Sequence, residues 1–224
     1  MKRDVMKKIL LFDLDGTLTD PKEGITKCVQ YALKYFGIEE ELSKLLCFIG
    51  PPLVDSFREF YGFDEEKAKL AVEKYRERFK DIGIFENGVY DGIVDLLELC
   101  KDMGFKIGLA TSKPEEFAIR ILDKYGLSKY FDEITGSTMD GSRNTKTDVI
   151  KEAFLRMGIA DDEKPHVVMI GDREHDIIGA KNCGIESIGV RFGYAEEGEL
   201  EAAGADYIVD SVEALKGLLE RLGK

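Results

Sequence analysis

Short apolar runs alternate with helical patterns along most of this chain. That alternation restricts it to an α/β fold, a doubly wound parallel sheet with helices on both faces. The runs fall at residues 8–12, 105–110, 167–170, 187–190 and 207–209, with a weaker one at 133–135. Each is too short for a buried helix and apolar enough for a strand covered on both sides. Between them Phe117, Ala118, Ile121, Leu122 and Tyr125 follow the helical period and stop at Gly126. Val149, Ile150, Ala153 and Met157 repeat the pattern and stop at Gly158.

One stretch departs from the alternation. Residues 20–87 read as helices only, entered through a capping signal, Asp20-Pro21-Lys22-Glu23, with Pro at the first helical position. Ile25, Val29, Ala32, Leu33 and Phe36 form one helical face, and Ala68, Ala71, Val72, Tyr75, Phe79 and Ile82 form another. The expected organisation is an α/β core from residues 1–19 and 88–224, with a small helical cap domain of residues 20–87 inserted after the first strand. Such an insertion leaves the sheet at its carboxyl edge and is expected to act as a lid there.

That edge is where the chemistry gathers. The first run breaks into Asp13-Leu14-Asp15-Gly16-Thr17, two acids at the end of a buried strand. In open α/β sheets, ligand sites lie beyond the strands' carboxyl ends. Thr111 and Ser112 follow the second main run, Asp172 and Asp176 follow the run at 167–170, and Lys146 opens the helix after the weak run. Strand ends of one parallel sheet share an edge, so these groups are expected to converge. Four carboxylates in a small volume repel and raise one another's pKa unless a cation neutralises them. All-oxygen ligation from a few carboxylates points to Mg²⁺ rather than zinc. With Lys146, Thr111 and the backbone N–H groups of Gly16 and Thr17, the set describes a cradle for a phosphoryl group.

Composition removes other classes. The net charge of −12, from 44 acids against 32 bases, disfavours a nucleic-acid polymer, which needs clustered Lys and Arg. Cys28, Cys47, Cys100 and Cys183 are too scattered for a zinc site or a redox pair and read as reduced thiols. The basic start, residues 1–8, is followed by only a short apolar run, so neither a signal peptide nor a membrane span fits and a cytoplasmic protein is expected. The acidic run at 39–41 reads as solvated surface, and no heptad marks an oligomer interface.

The segments FDLDGTLTD and LATSK, Lys146 and IGDREHDIIGA resemble, in order, the four motifs of haloacid dehalogenase-like (HAD) phosphatases, over nearly the whole chain. Residues 187–194 and 203–207 resemble the phosphoglycolate phosphatase-like branch, some members of which are 5′-nucleotidases. The resemblance implies a Mg²⁺-dependent phosphatase acting on a small phosphorylated metabolite. Asp13 would be the nucleophile, forming an aspartyl-phosphate, and Asp15 the acid and base. Mg²⁺ would be held by Asp13, the Asp15 backbone carbonyl and Asp172, with Asp176 in support. Thr111 and Lys146 would bind the phosphoryl group, with Gly16, Thr17, Ser112 and Lys113 lining the phosphate and substrate site. Phe48, Gly50, Pro51, Pro52 and Arg58 are cap positions that could approach substrate, packing being the expected fate of Phe48. His175 reads as solvent-facing and His166 as structural.

Rival readings within the family are a phosphosugar mutase, disfavoured by Thr17 where sugar mutases usually carry Val, and a pyrophosphatase. Dehalogenation would leave Asp15 and Asp172 without a purpose. A non-catalytic phospho-accepting regulatory module is the reading from another class, and the filled motifs give it no support.

Overall fold

The computed structural model describes residues 6–224, so most of the basic N-terminal segment, residues 1–5, lies outside the described residues. In chain order, β1 (Ile9–Phe12) is followed by β2 (Thr19–Asp20), α1 (Lys22–Tyr35), α2 (Leu53–Tyr61), α3 (Glu65–Phe79) and β3 (Gly88–Val89). Then come α4 (Ile93–Asp102), β4 (Lys106–Pro114), α5 (Glu115–Lys124), β5 (Glu133–Ser137), α6 (Lys146–Met157) and β6 (Val167–Gly171). The chain ends with α7 (Glu174–Cys183), β7 (Glu186–Val190), α8 (Glu199–Ala203), β8 (Tyr207–Val209) and α9 (Val212–Leu222). It divides into two compact units, residues 1–18 with 89–224, and Thr19–Gly88.

The larger unit is the expected doubly wound α/β fold. Its six strands lie in the order β5-β4-β1-β6-β7-β8, and every pairing is parallel. All four residues of β1 are buried, as a strand with helices on both faces requires. Register fixes which ends meet: Phe12 pairs with Leu109 on one side and Ile170 on the other, so the segments leaving β1, β4 and β6 emerge together. One face is sealed by Ile9, Leu11, Val167 and Met169 against Val149, Ala153 and Met157 of α6. Truncating a buried residue such as Leu11 to Ala would cost about 2–5 kcal/mol.

In one respect the second main run is longer than its sequence pattern. Strand β4 continues to Pro114, with a register irregularity against β5 between Ala110 and Pro114. Thr111, Ser112 and Lys113 therefore belong to the strand instead of following it. The apolar pattern stops at Ala110 because the next three strand residues, Thr111, Ser112 and Lys113, are at the functional edge and carry polar side chains.

The smaller unit packs α1 against α3, with 3₁₀ turns at Leu42–Phe48 and Gly83–Phe85. Helix α2 contributes Phe57 to the aromatic cluster of the unit. The buried Phe48 and Phe57 rings meet at 5.0 Å, and Phe57 stacks on Phe63 at 5.9 Å. Phe48 is thus a packing residue, and Arg58 is exposed and pairs with Glu65 at 3.5 Å. Several local expectations are corrected. Pro21 is the N-cap and not the first helical residue, with Asp20 Oδ1 accepting from the Lys22 N–H at 2.9 Å. Ile82 lies beyond the end of α3 and is exposed. Only Asp20, at the edge of the stretch, belongs to a strand: β2 and β3 form a two-stranded ribbon that brackets the helices. No helix among the described residues is long and apolar enough to cross a membrane.

Candidate active site

The loop after β1 builds the floor of the site. The Asp13 N–H donates to Ile170 O at 2.9 Å, which carries the ladder one residue past the strand, and the Leu18 N–H closes a turn on Leu14 O at 2.9 Å. Gly16 makes that turn at φ 84°, and a Cβ there would come within 2.0 Å of Asp172 Oδ2. Both the left-handed backbone and the close approach exclude any side chain. Thr17, fully buried, donates its hydroxyl to Asp172 Oδ1 at 3.4 Å and its N–H to Leu14 O at 3.3 Å. These hydrogen bonds serve the turn and Asp172.

Three carboxylates converge there: Asp13, Asp172 and Asp176 are all buried and each offers an oxygen within 4.8 Å of the others. Asp172 leaves the end of β6, and Asp176 sits in the first turn of α7, where its Oδ2 accepts from the Arg173 N–H at 3.1 Å. Lys146, the first residue of α6, is held by a Thr145 cap whose hydroxyl accepts from the Asp148 N–H at 3.1 Å. Its ammonium donates to Asp13 Oδ1 at 2.7 Å and to Ala110 O at 2.9 Å. It also lies 2.7 Å from Asp176 Oδ1, an ion pair without an aligned hydrogen bond.

The expected gathering of four acids is three plus one. Asp15 stands apart, its Oδ2 paired with the ammonium of the buried Lys113. Its other oxygen, Oδ1, is buried with no hydrogen-bond partner among the described residues. Thr111 is buried in β4, its hydroxyl oxygen accepting from the Lys113 N–H at 3.2 Å. Ser112, beside it, is half-buried. His175 is half-buried in α7 and not solvent-facing, and burial lowers its pKa below the ordinary value.

The electrostatics follow from this packing. Burial raises the Asp172 carboxyl well above the ordinary range, and Asp176 and Asp13 push it further. Burial also lifts Asp176, to about 6, with Lys146 opposing and Asp13 adding to the rise. Burial alone would lower Lys146, but Asp13 and Asp176 overcome it and hold the ammonium above its ordinary value. Asp15 is raised by burial against the opposing pull of Lys113. Three carboxylates against one ammonium leave two negative charges in a buried space. An all-oxygen donor set with that deficit fits a hard divalent cation.

Two contributors to this site carry no chemical signature in the sequence. The Tyr194 N–H donates to Asp172 Oδ2 at 2.8 Å. Gly193 passes so close that a Cβ would meet Gly16 O at 2.3 Å and Asp172 Cβ at 2.4 Å. The available signal was their place just past β7, a fourth strand end on the same edge.

Residues 10–190 match the model of the haloacid dehalogenase-like hydrolase family. The chain belongs to the haloacid dehalogenase-like hydrolases. This hydrolase is an enzyme of the phosphatase type. It is 46% identical over 212 residues to a 5′-nucleotidase of Pseudomonas aeruginosa, a match covering 94% of this chain and 95% of that one. It is 34% identical to the tyrosine-protein kinase PtkA of Mycobacterium tuberculosis over 96% of this chain and 72% of that one. Its fold is similar to the crystal structure of a predicted phosphatase from Clostridium acetobutylicum, with a TM-score of 0.92 and 50% identity over 96% of this chain and 99% of that one.

Proposed function

We propose that this hydrolase is a Mg²⁺-dependent phosphomonoesterase that cleaves a small phosphate monoester through a phosphorylated Asp13. The observation that carries the reading is Lys146 lying across Asp13 and Asp176, at 2.7 Å from each, beside a three-carboxylate cluster. That arrangement binds a cation and a phosphoryl group side by side. Asp13, Asp172 and Asp176, with the Asp15 backbone carbonyl, would hold Mg²⁺, which when bound supplies charge neutralisation to the phosphoryl oxygens.

The chain's own residues divide the remaining work. Asp13, oriented by the ammonium on its Oδ1, attacks phosphorus, and the ester oxygen leaves with its electron pair. Asp15 donates the proton that makes the leaving group an alcohol. Burial raises its carboxyl above the ordinary value, against the opposing pull of Lys113, and so favours the proton-bearing form that the acid role needs. Water then attacks the phosphorus of the acyl-phosphate, Asp15 takes the water's proton, and inorganic phosphate departs as the Asp13 carboxylate is restored. Lys146 and Thr111 hold the phosphoryl oxygens through both steps, with Ser112 and Lys113 beside them. Aligning the groups and neutralising charge are the main demands of phosphoryl transfer.

Nucleoside 5′-monophosphates are the proposed substrate class, supported by the similarity to the Pseudomonas 5′-nucleotidase along nearly the full length of both chains. The match to the kinase covers only 72% of that protein, so it weighs less. The test is phosphate release from nucleoside monophosphates, phosphoglycolate, sugar phosphates and pyrophosphate, each with Mg²⁺ and with EDTA. The reading expects the highest kcat/KM for a nucleoside monophosphate and loss of release in EDTA. It also expects a hydroxylamine-sensitive phosphoenzyme that is absent from the Asp13→Asn variant. Metal-independent release, or none from any ester, would overturn it.

A further inference from the structure

We infer that Glu199 is a positioning residue for the metal site, acting through the loop at residues 193–199 to fix the Asp172 carboxylate. The proposal rests on the divalent-metal reading above.

Glu199 is a nearly buried carboxylate that ties together three groups. Its Oε1 accepts from Arg173 Nε at 2.8 Å and from the Glu174 N–H at 2.8 Å, and its Oε2 accepts from the Glu196 N–H at 2.9 Å. Only 10% of its side chain is exposed. Burial would raise its carboxyl, but Arg173 and the two N–H donors overcome that and hold it below the ordinary value, so it is charged. One end of the clamp is thus the turn between β6 and α7, which carries Asp172, together with the first turn of α7, which carries Asp176. The other end is the loop that supplies the Tyr194 N–H.

At the acid cluster the loop makes a close backbone approach and one hydrogen bond, and on its other side Phe192 packs edge-on against Tyr90 at 5.4 Å. Gly193 lies against Gly16 O and Asp172 at a distance no side chain tolerates, and the next residue makes the 2.8 Å bond to Asp172 Oδ2. A carboxylate that must meet a cation at a set position gains from such an anchor, because rotation would waste its charge. Removing supporting hydrogen bonds of this kind typically lowers metal affinity about 10- to 100-fold. Arg191 serves as the control: its pair with Glu201 also ties α8 and its pair with Asp210 ties the end of β8, and neither touches Glu199.

The experiment measures Mn²⁺ binding to the substrate-free protein by loss of the free-ion EPR signal, for wild type and for Glu199→Ala, Glu199→Gln, Arg191→Ala and Asp172→Ala. Melting temperature in EDTA is recorded alongside. Glu199→Ala should raise the Mn²⁺ Kd about tenfold. Glu199→Gln, which keeps the shape but cannot accept at both oxygens, should fall between Ala and wild type. Arg191→Ala should stay within twofold of wild type. If Glu199→Ala melts below the assay temperature, the Gln variant carries the test. A Kd within twofold of wild type for the folded Glu199 variants, or an equal loss in Arg191→Ala, would overturn the inference. Tight wild-type binding that Asp172→Ala leaves unchanged would overturn the metal reading and this inference with it, as would no wild-type binding.

Discussion

Asp176→Asn should make the metal-free protein more stable at neutral pH while ending its ability to bind a divalent cation. In the folded protein the Asp176 carboxyl is lifted from an ordinary value of 3.8 to about 6, first by burial, while in the unfolded chain it is ordinary. The folded state therefore binds this proton more tightly than the unfolded state, and stability must fall as pH rises between those two values. Below about pH 4 the penalty is absent, and above about pH 6 it is complete. Each pH unit is worth about 1.36 kcal/mol, so the full penalty is about 3 kcal/mol. An amide is uncharged at every pH but has a single oxygen, so it cannot both accept from the Arg173 N–H and face the Lys146 ammonium, which costs about 1 kcal/mol. The variant should gain about 2 kcal/mol at pH 7.5, or roughly 4 to 8 °C in Tm for a chain of this size. At pH 5, where wild type carries only part of the penalty, the gain should shrink to well under 1 kcal/mol. Urea unfolding in EDTA at both pH values measures this. Adding Mg²⁺ should reverse the order at pH 7.5, because only wild type retains the full cluster. An Asp176→Asn variant that is less stable than wild type in EDTA at pH 7.5, or a difference independent of pH, would refute the view that burying this charged carboxylate costs the folded state stability.

The other substitutions probe separate parts of the geometry. Asp13→Asn should abolish phosphate release with an unchanged circular dichroism spectrum, since shape is kept and the nucleophile is lost. Asp15→Asn should slow both chemical steps and allow any phosphoenzyme to persist, visible in a quenched-flow time course; a wild-type rate would end its assignment as acid and base. Lys146→Ala leaves Asp13 and Asp176 without their cation and should cost about 3 to 5 kcal/mol by urea unfolding at pH 7.5. Gly16→Ala combines a φ of 84° with a Cβ 2.0 Å from Asp172 Oδ2 and should cost at least about 1 to 2 kcal/mol while weakening Mn²⁺ binding.

The amino-acid sequence by itself determined the sheet and its edge. A buried parallel strand must be apolar throughout, so Ile9–Phe12 and Val167–Gly171 are visible as runs, and the polar residues that end such runs mark the functional side. Helix α6, with its cap at Thr145 and its stop at Gly158, is equally legible because caps and period are local. The continuation of β4 through Lys113 was not, since it is specified by pairing with β5 and carries no apolar run.

Within the site, identity of residues and their division of labour came from different sources. Spacing alone nominates Asp13, Asp15, Asp172, Asp176 and Lys146, but it treats the four acids alike. Tertiary packing separates them. Lys146 reaches Asp13 and Asp176, Lys113 takes Asp15 aside, and Asp172 is left to Thr17 and a backbone N–H from Tyr194. A charge's partner is set by distances of a few ångströms between segments more than a hundred residues apart in the chain, such as Asp13 and Lys146. Backbone donors and a close-packed Gly193 leave no chemical mark in a sequence, so only the folded chain decides that they belong to the site.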